Sequence, residues 1–252
     1  MTKTGITFLL AARQCEIAEL EQLAQTSDLV AAIARFIHAL QRERGVSSVY
    51  LSSHGTQFGQ QRELQIADCL AAEKAVRAQL DQLDTESSQA RNGARLFSRV
   101  AVVLHGLEGL PALRARIARQ SPTAGEATAA FVKLISGLLT VVFEAADTAS
   151  DPEVSRALVA MFNFMQGKEF AGQERALGAS VFAAGYIDGA GQQHWRHLVD
   201  SQQGCFRVFA DYADPQVLQA EQAGHDPVAT AEVEAAAHRV HRARRARQRA
   251  QP

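Results

Sequence analysis

Signals that end one helix and start another recur along this chain about every 25 to 30 residues, and this spacing restricts the possible folds more than any other feature. The breaks fall near Thr26-Ser27-Asp28, Ser53-His54-Gly55, Asp84 to Ser88, Ser121-Pro122, Ser150-Asp151-Pro152, Asp188 to Gly191 and Asp211 to Pro215. The sharpest is Asp151-Pro152-Glu153, with an acid to cap the helix, a proline at its first position and a second acid in its first turn. Segments of this length joined by short polar turns suit antiparallel bundles. The expectation is an all-α chain of about eight antiparallel helices near 5–26, 28–52, 57–84, 88–119, 123–149, 152–185, 191–212 and 216–247, forming two stacked four-helix bundles. Composition agrees, because only 6 of the 252 residues are proline and the abundant Ala, Leu, Gln, Glu and Arg lose little rotamer freedom in a helix.

Charge is unevenly distributed. Residues 238–252 hold six arginines (Arg239, Arg242, Arg244, Arg245, Arg247 and Arg249) and no acid, which leaves 20 basic against 27 acidic residues, or −7, elsewhere. A body of that sign does not attract nucleic acid over its whole surface, so any such contact falls to the tail. The division is therefore a helical domain over 1–237 and a basic tail over 238–252 that ends the last helix or begins a linker. Cys15, Cys69 and Cys205 are odd in number and contain no CxxC pair, as in a reduced, cytoplasmic protein. The apolar run from Phe8 to Ala12 is too short for a signal peptide, and no stretch reads as the roughly 18 apolar residues of a membrane span.

The second helix carries an arginine where a core residue belongs. At about 100° per residue, Leu29, Ile33, Phe36, Ile37, Leu40 and Leu51 fall on one stripe, and Arg44 lies about 20° from its centre at Ile33. Arg42 points the opposite way into solvent, and Glu43 falls on the flank. A buried guanidinium demands an anion. One reading is an ion pair with a carboxylate of another helix. The other is a ligand anion held by the planar donor fork, with Ser47 and Ser48 one turn on as added donors.

The sixth helix is apolar on every side, with Leu158, Met161, Phe162 and Met165 on one face, Phe170, Leu177 and Val181 opposite, and Phe164 and Phe182 on a third, so it reads as a buried helix between the bundles. Lys168, Glu169, Gln173, Glu174 and Arg175 cluster on it and need mutual pairing or a ligand, while Gly167, Gly172 and Gly178 permit close helix approach.

These residues carry a family resemblance. The runs LVAAIARFIHALQRERGVSSVYLSSHGTQF at 29–58 and LVAMFNFMQGKEFAGQERALGASVFAAG at 158–185 resemble the two signature segments of the NIT family, the nitrate- and nitrite-sensing domains. The opening FLLAARQCEIAELEQLAQTSDLV at 8–30 is similar to cytoplasmic nitrate-responsive antiterminators, and Leu113-Arg114 and VVFEAADTASDP at 141–152 fit the same pattern. The resemblance implies a nitrate or nitrite site lined by arginines, with no cofactor or metal. It carries the arginine of the ERG motif to Arg44 and that of the GQERA motif to Arg175, and points further to Arg196 in HWRHLVD and to Arg239. Glu169, Gln173, Ser47 and Ser48 are candidate supporting residues.

Family members of this type usually continue into an ANTAR domain, a small RNA-binding unit. This chain reaches Pro252 after its basic tail, so the expected output is a partner protein or a second copy of the chain rather than RNA.

Two other classes compete with an anion sensor. An enzyme would need more than His225-Asp226 or the helical pair His194 and His197, neither of which has the further ligands a metal site requires. The sequence contains no nucleophile elbow, phosphate loop or dinucleotide fingerprint. A structural or protein-interaction module, in which the buried arginines only close internal ion pairs, is the main alternative to an anion sensor.

Overall fold

The structure, a computed structural model, describes residues 4–83, 93–147, 151–215 and Leu218. Every regular element among them is helical: α1 (Gly5–Ser52), α2 (Gly59–Leu80), α3 (Ala94–Glu108), α4 (Leu110–Ala118), α5 (Ala124–Asp147), α6 (Pro152–Ala184) and α7 (Gly189–Tyr212). The all-α expectation holds, and the expected division is redrawn in two places. The first two predicted helices are one, because Thr26 does not cap a new helix. Its hydroxyl donates back to the Gln22 carbonyl at 2.9 Å, a bond that leaves the helix running. The fourth predicted helix is cut at Gly109, where α3 ends and α4 begins with Pro111 in its first turn. The eighth predicted helix, 216–247, and the tail, 238–252, lie outside the described residues apart from Leu218.

Other punctuation acts as the sequence requires. The Asp151 carboxylate accepts the amides of Glu153 at 2.8 Å and Val154 at 3.0 Å, capping α6. Asp188 does the same for α7, accepting the Gly191 amide at 2.7 Å. Thr123 and Glu126 form a reciprocal box at the start of α5: the Thr123 amide donates to Glu126 at 2.8 Å, and the Glu126 amide to the Thr123 hydroxyl at 3.1 Å. The turn after α1 needs Gly55, which adopts φ +77° with the Gln120 side chain so close that a Cβ there would overlap it.

The chain divides into two compact units, residues 1–165 and 166–252. In the first, α1 packs against α2 and α5, and α5 against α3. Phe36, Leu29, Ile33 and Leu40 of α1 meet Phe131, Ile135, Leu138 and Leu139 of α5, with Leu110 and Ile117 of α4, in a fully buried core. Only the second half of α1 takes part. From Gly5 to Gln22 every residue of α1 is exposed, Ile6, Phe8, Leu9, Leu10, Ile17 and Leu20 included.

By length and composition alone, α5 and the run Ala94–Ala118 are apolar enough to cross a membrane, against the sequence expectation that no stretch would read so. The apolar content of α5 has a local explanation. Its buried residues meet α1 and α3 on more than one side, so little of its surface is left for polar residues.

In the second unit the last part of α6 lies antiparallel to α7. Gly167 lets the two approach: a Cβ there would come within 2.9 Å of the Phe206 ring. Phe170 and His197 meet edge to face at 6.4 Å between centroids. Leu198 and Phe209 of α7 are buried.

Candidate anion-binding site

The helical phase read from the sequence is correct for the arginine pair. Arg44 is buried, at 5% exposure, and Arg42 is exposed. Ser47, one turn on, is fully buried, and Ser48 is half-buried.

Glu43, on the flank of the apolar stripe, is 0% exposed and holds Arg114 of α4 in a bidentate pair, with Nε and Nη2 each 2.8 Å from a carboxylate oxygen. The pairing is non-local, joining α1 to α4 across 71 residues of sequence. Burial works against the charged form of Arg114, but the hydrogen bonds and charge of Glu43 outweigh it and hold the guanidinium pKa above its usual value. Cys69 of α2 is buried against the same carboxylate. Burial, then the charge of Glu43 and a hydrogen bond to it, push the Cys69 thiol well above the usual thiol range.

A second arginine in this region was missed in the sequence. Arg62 of α2 is 4% exposed. Its guanidinium carbon lies 5.4 Å from the centroid of the Tyr50 ring of α1. Nη2 donates to the Arg114 carbonyl at 2.9 Å, and Nη1 to the exposed Glu63 at 2.8 Å. Gln65, one turn further along α2, is buried as well. The signal for these residues was spacing: Arg62, Gln65, Cys69 and Val76 share one face of α2 and are its buried positions. The face is mostly polar, so a search for an apolar stripe passes over it.

The remaining candidates belong to the second unit. Glu169 is buried and accepts a hydrogen bond from Gln173 at 2.9 Å, one turn along the same helix. Glu174 of the same cluster is engaged by α7: the Trp195 indole donates at 3.0 Å and the Gln202 amide donates to the other oxygen. Arg175 and Arg196 are both exposed. Partial desolvation, and then the charge of Arg175, hold the Lys168 ammonium below its usual pKa. Arg239 lies outside the described residues, as does the His225-Asp226 pair. His194 and His197 are exposed.

Among the described residues the first unit buries three arginines, Arg44, Arg62 and Arg114, and two acids, Glu43 and Glu144, the latter met by Arg95 and Arg99. Comparison with known families decides which anion class to consider. The profile of the family described as nitrate and nitrite sensing matches residues 35–252. The chain belongs to the NIT family. Over 216 residues this NIT chain is 38% identical to the nitrate regulatory protein of Klebsiella oxytoca, a match covering 85% of the chain and 53% of that relative. Its fold is similar to the solved structure of the NasR transcription antiterminator, with a TM-score of 0.77 and 35% identity over 88% of this chain and 60% of that one. The NIT chain therefore spans little more than half the length of either relative. Both relatives are named as regulators, not enzymes.

Proposed function

We propose that this chain is the sensing part of a regulator, binding nitrate or nitrite and passing the bound state on as a helix rearrangement to an output module, a partner protein or a second copy of the chain. The carrying observation is Arg44, buried on the inner face of α1 within the matched region of a nitrate- and nitrite-sensing family. The guanidinium fork suits a planar, weakly basic oxyanion. Arg175 and Arg196, exposed on α6 and α7, and Arg239 are further candidate contacts, with Ser47, Ser48, Glu169 and Gln173 in support. A cytoplasmic location follows from the same reading, since both ions would be met inside the cell.

The structural alternative accounts for Arg114, paired within the protein by Glu43, and in part for Arg62, which meets Glu63. For Arg44 the decisive experiment is calorimetric titration with nitrate, nitrite and chloride. Binding of nitrate or nitrite but not chloride, lost in Arg44→Ala and kept in Arg42→Ala, supports the sensor. Equal loss in both variants, or no discrimination among the anions, refutes it.

A further inference from the structure

The packing of α1 on α2 has a register that can be read from two contacts. The Cys69 thiol is buried beside the Glu43 carboxylate, where burial and then that charge raise its pKa, and the Arg62 guanidinium lies over Tyr50. The two helices are antiparallel and share the same rise per residue, so a residue three or four positions beyond Glu43 on α1 stands level with one three or four positions before Cys69 on α2. Ser47 and Gln65 satisfy that relation. That register sets them at the same level between the two contacts, Ser47 one turn from Arg44 on α1 and Gln65 one turn from Arg62 on α2.

Ser47 is 0% exposed, and Arg62 and Gln65 are each 4% exposed. Within one turn of this level three buried polar atoms, the Ser47 hydroxyl, Arg62 Nε and Gln65 Nε2, find no hydrogen-bond partner among the described residues. Buried polar atoms are nearly always paired, and leaving one unpaired costs more than a net hydrogen bond gains. Here three occur within one helical turn of each other along α1 and α2, and all three can donate. A single water has two lone pairs and cannot accept from three donors, whereas a trigonal oxyanion presents three oxygens in one plane. Charge permits it. Glu63, the carboxylate that meets Arg62, has a side chain 69% exposed, so its charge is largely screened, and the buried Glu43, one turn from Ser47, is neutralised by Arg114 through both of its oxygens.

We infer that Arg62, Gln65 and Ser47 form one anion subsite between α1 and α2, one helical turn from Arg44, in which three converging donors hold a small planar oxyanion. The inference rests on the sensor reading and adds to it: it names two ligand-binding residues on α2 and places the ion within the first unit. Arg62 supplies charge and one donor. Gln65 and Ser47 supply neutral donors that favour an ion with several acceptor atoms over chloride.

The test uses the 252-residue chain and three variants, Gln65→Leu, Ser47→Ala and Arg62→Lys. Each is titrated calorimetrically with sodium nitrate, nitrite and chloride, and its melting temperature is measured without added anion. Loss of one hydrogen bond to a charged partner corresponds to about a tenfold or greater fall in affinity, expected for nitrate in all three variants. Gln65→Leu should melt no lower than the parent without anion, because it removes an unpaired buried donor. Arg62→Lys also loses its bond to the Arg114 carbonyl, so the conclusion rests on the other two variants. Nitrate binding within twofold of the parent in both Gln65→Leu and Ser47→Ala overturns the subsite and leaves the sensor standing. A parent chain that binds neither nitrate nor nitrite overturns both.

Discussion

Replacing Arg114 with methionine should be among the most damaging single changes in the first unit. Glu43 is 0% exposed and both of its oxygens are bonded by Arg114 at 2.8 Å. Without that guanidinium the carboxylate loses both of its 2.8 Å bonds to α4, and an uncompensated buried charge of this kind costs about 3–5 kcal/mol. For a domain of this size, each kcal/mol lowers the melting temperature by about 2–4 °C, so Arg114→Met should melt roughly 6–20 °C below the parent. The double variant Glu43→Leu/Arg114→Met removes both charges and should recover to within about 1 kcal/mol of the parent, since an apolar pair can replace a buried ion pair at little net cost. Urea unfolding followed by far-ultraviolet circular dichroism, run as a double-mutant cycle, measures both quantities. A loss below about 1 kcal/mol in Arg114→Met, or a double variant as unstable as the single one, would refute the account of Glu43 as a charge held in place by α4.

Further outcomes follow from other parts of the molecule. Saturating nitrate, at about 100 times its dissociation constant, should stabilise the chain by about 2.7 kcal/mol and raise its melting temperature by roughly 5–10 °C, an effect absent in both Arg44→Ala and Arg44→Lys and checked by differential scanning fluorimetry. With iodoacetamide, the exposed Cys15 should be alkylated rapidly and the buried Cys69 not at all until the chain unfolds, as peptide mass spectrometry would report. The Glu126 carboxyl is held below its usual pKa by the Thr123 backbone amide and then the Thr123 hydroxyl. Its stabilising effect is therefore present above the unfolded pKa and fades as pH falls through the lower folded value, so Glu126→Gln should be less stable than the parent at pH 7 and indistinguishable from it in strong acid. Gly167→Ala should destabilise the second unit by about 1–3 kcal/mol, because the Phe206 ring would have to give way.

How much of this was legible in the sequence depended on whether the signal was local. The contrast between Arg44 and Arg42 needed only the 3.6-residue period, and the start of α6 needed only Asp151 and Pro152. The continuity of α1 was not legible, because threonine, serine and aspartate serve both as caps and as interior residues, and only the bond from Thr26 to Gln22 separates the two roles. The flank position of Glu43 was legible but its ion pair was not, because its partner Arg114 lies 71 residues away. Arg62 and Gln65 were missed for a related reason. Their face of α2 is polar, so its burial comes from the partner helix and leaves no hydrophobic period to detect. On α6, the apolar residues around the whole circumference marked a helix with neighbours, yet Arg175 is exposed. A period gives direction around an axis but does not say how far a side chain reaches.

The 48 residues of α1 make a rod about 72 Å long. Its second half, from Leu29 to Leu51, is clamped in the core, while its first 18 residues, Gly5 to Gln22, stand in solvent. A beam fixed at one end converts small rotations into larger displacements. The distance from Asp28 to Gly5 is about 35 Å, so a tilt of only 5° in the clamped half sweeps the free end through about 3 Å. Change beside Arg44 too slight to alter the core would thus be largest at Ile6, Leu9 and Leu10.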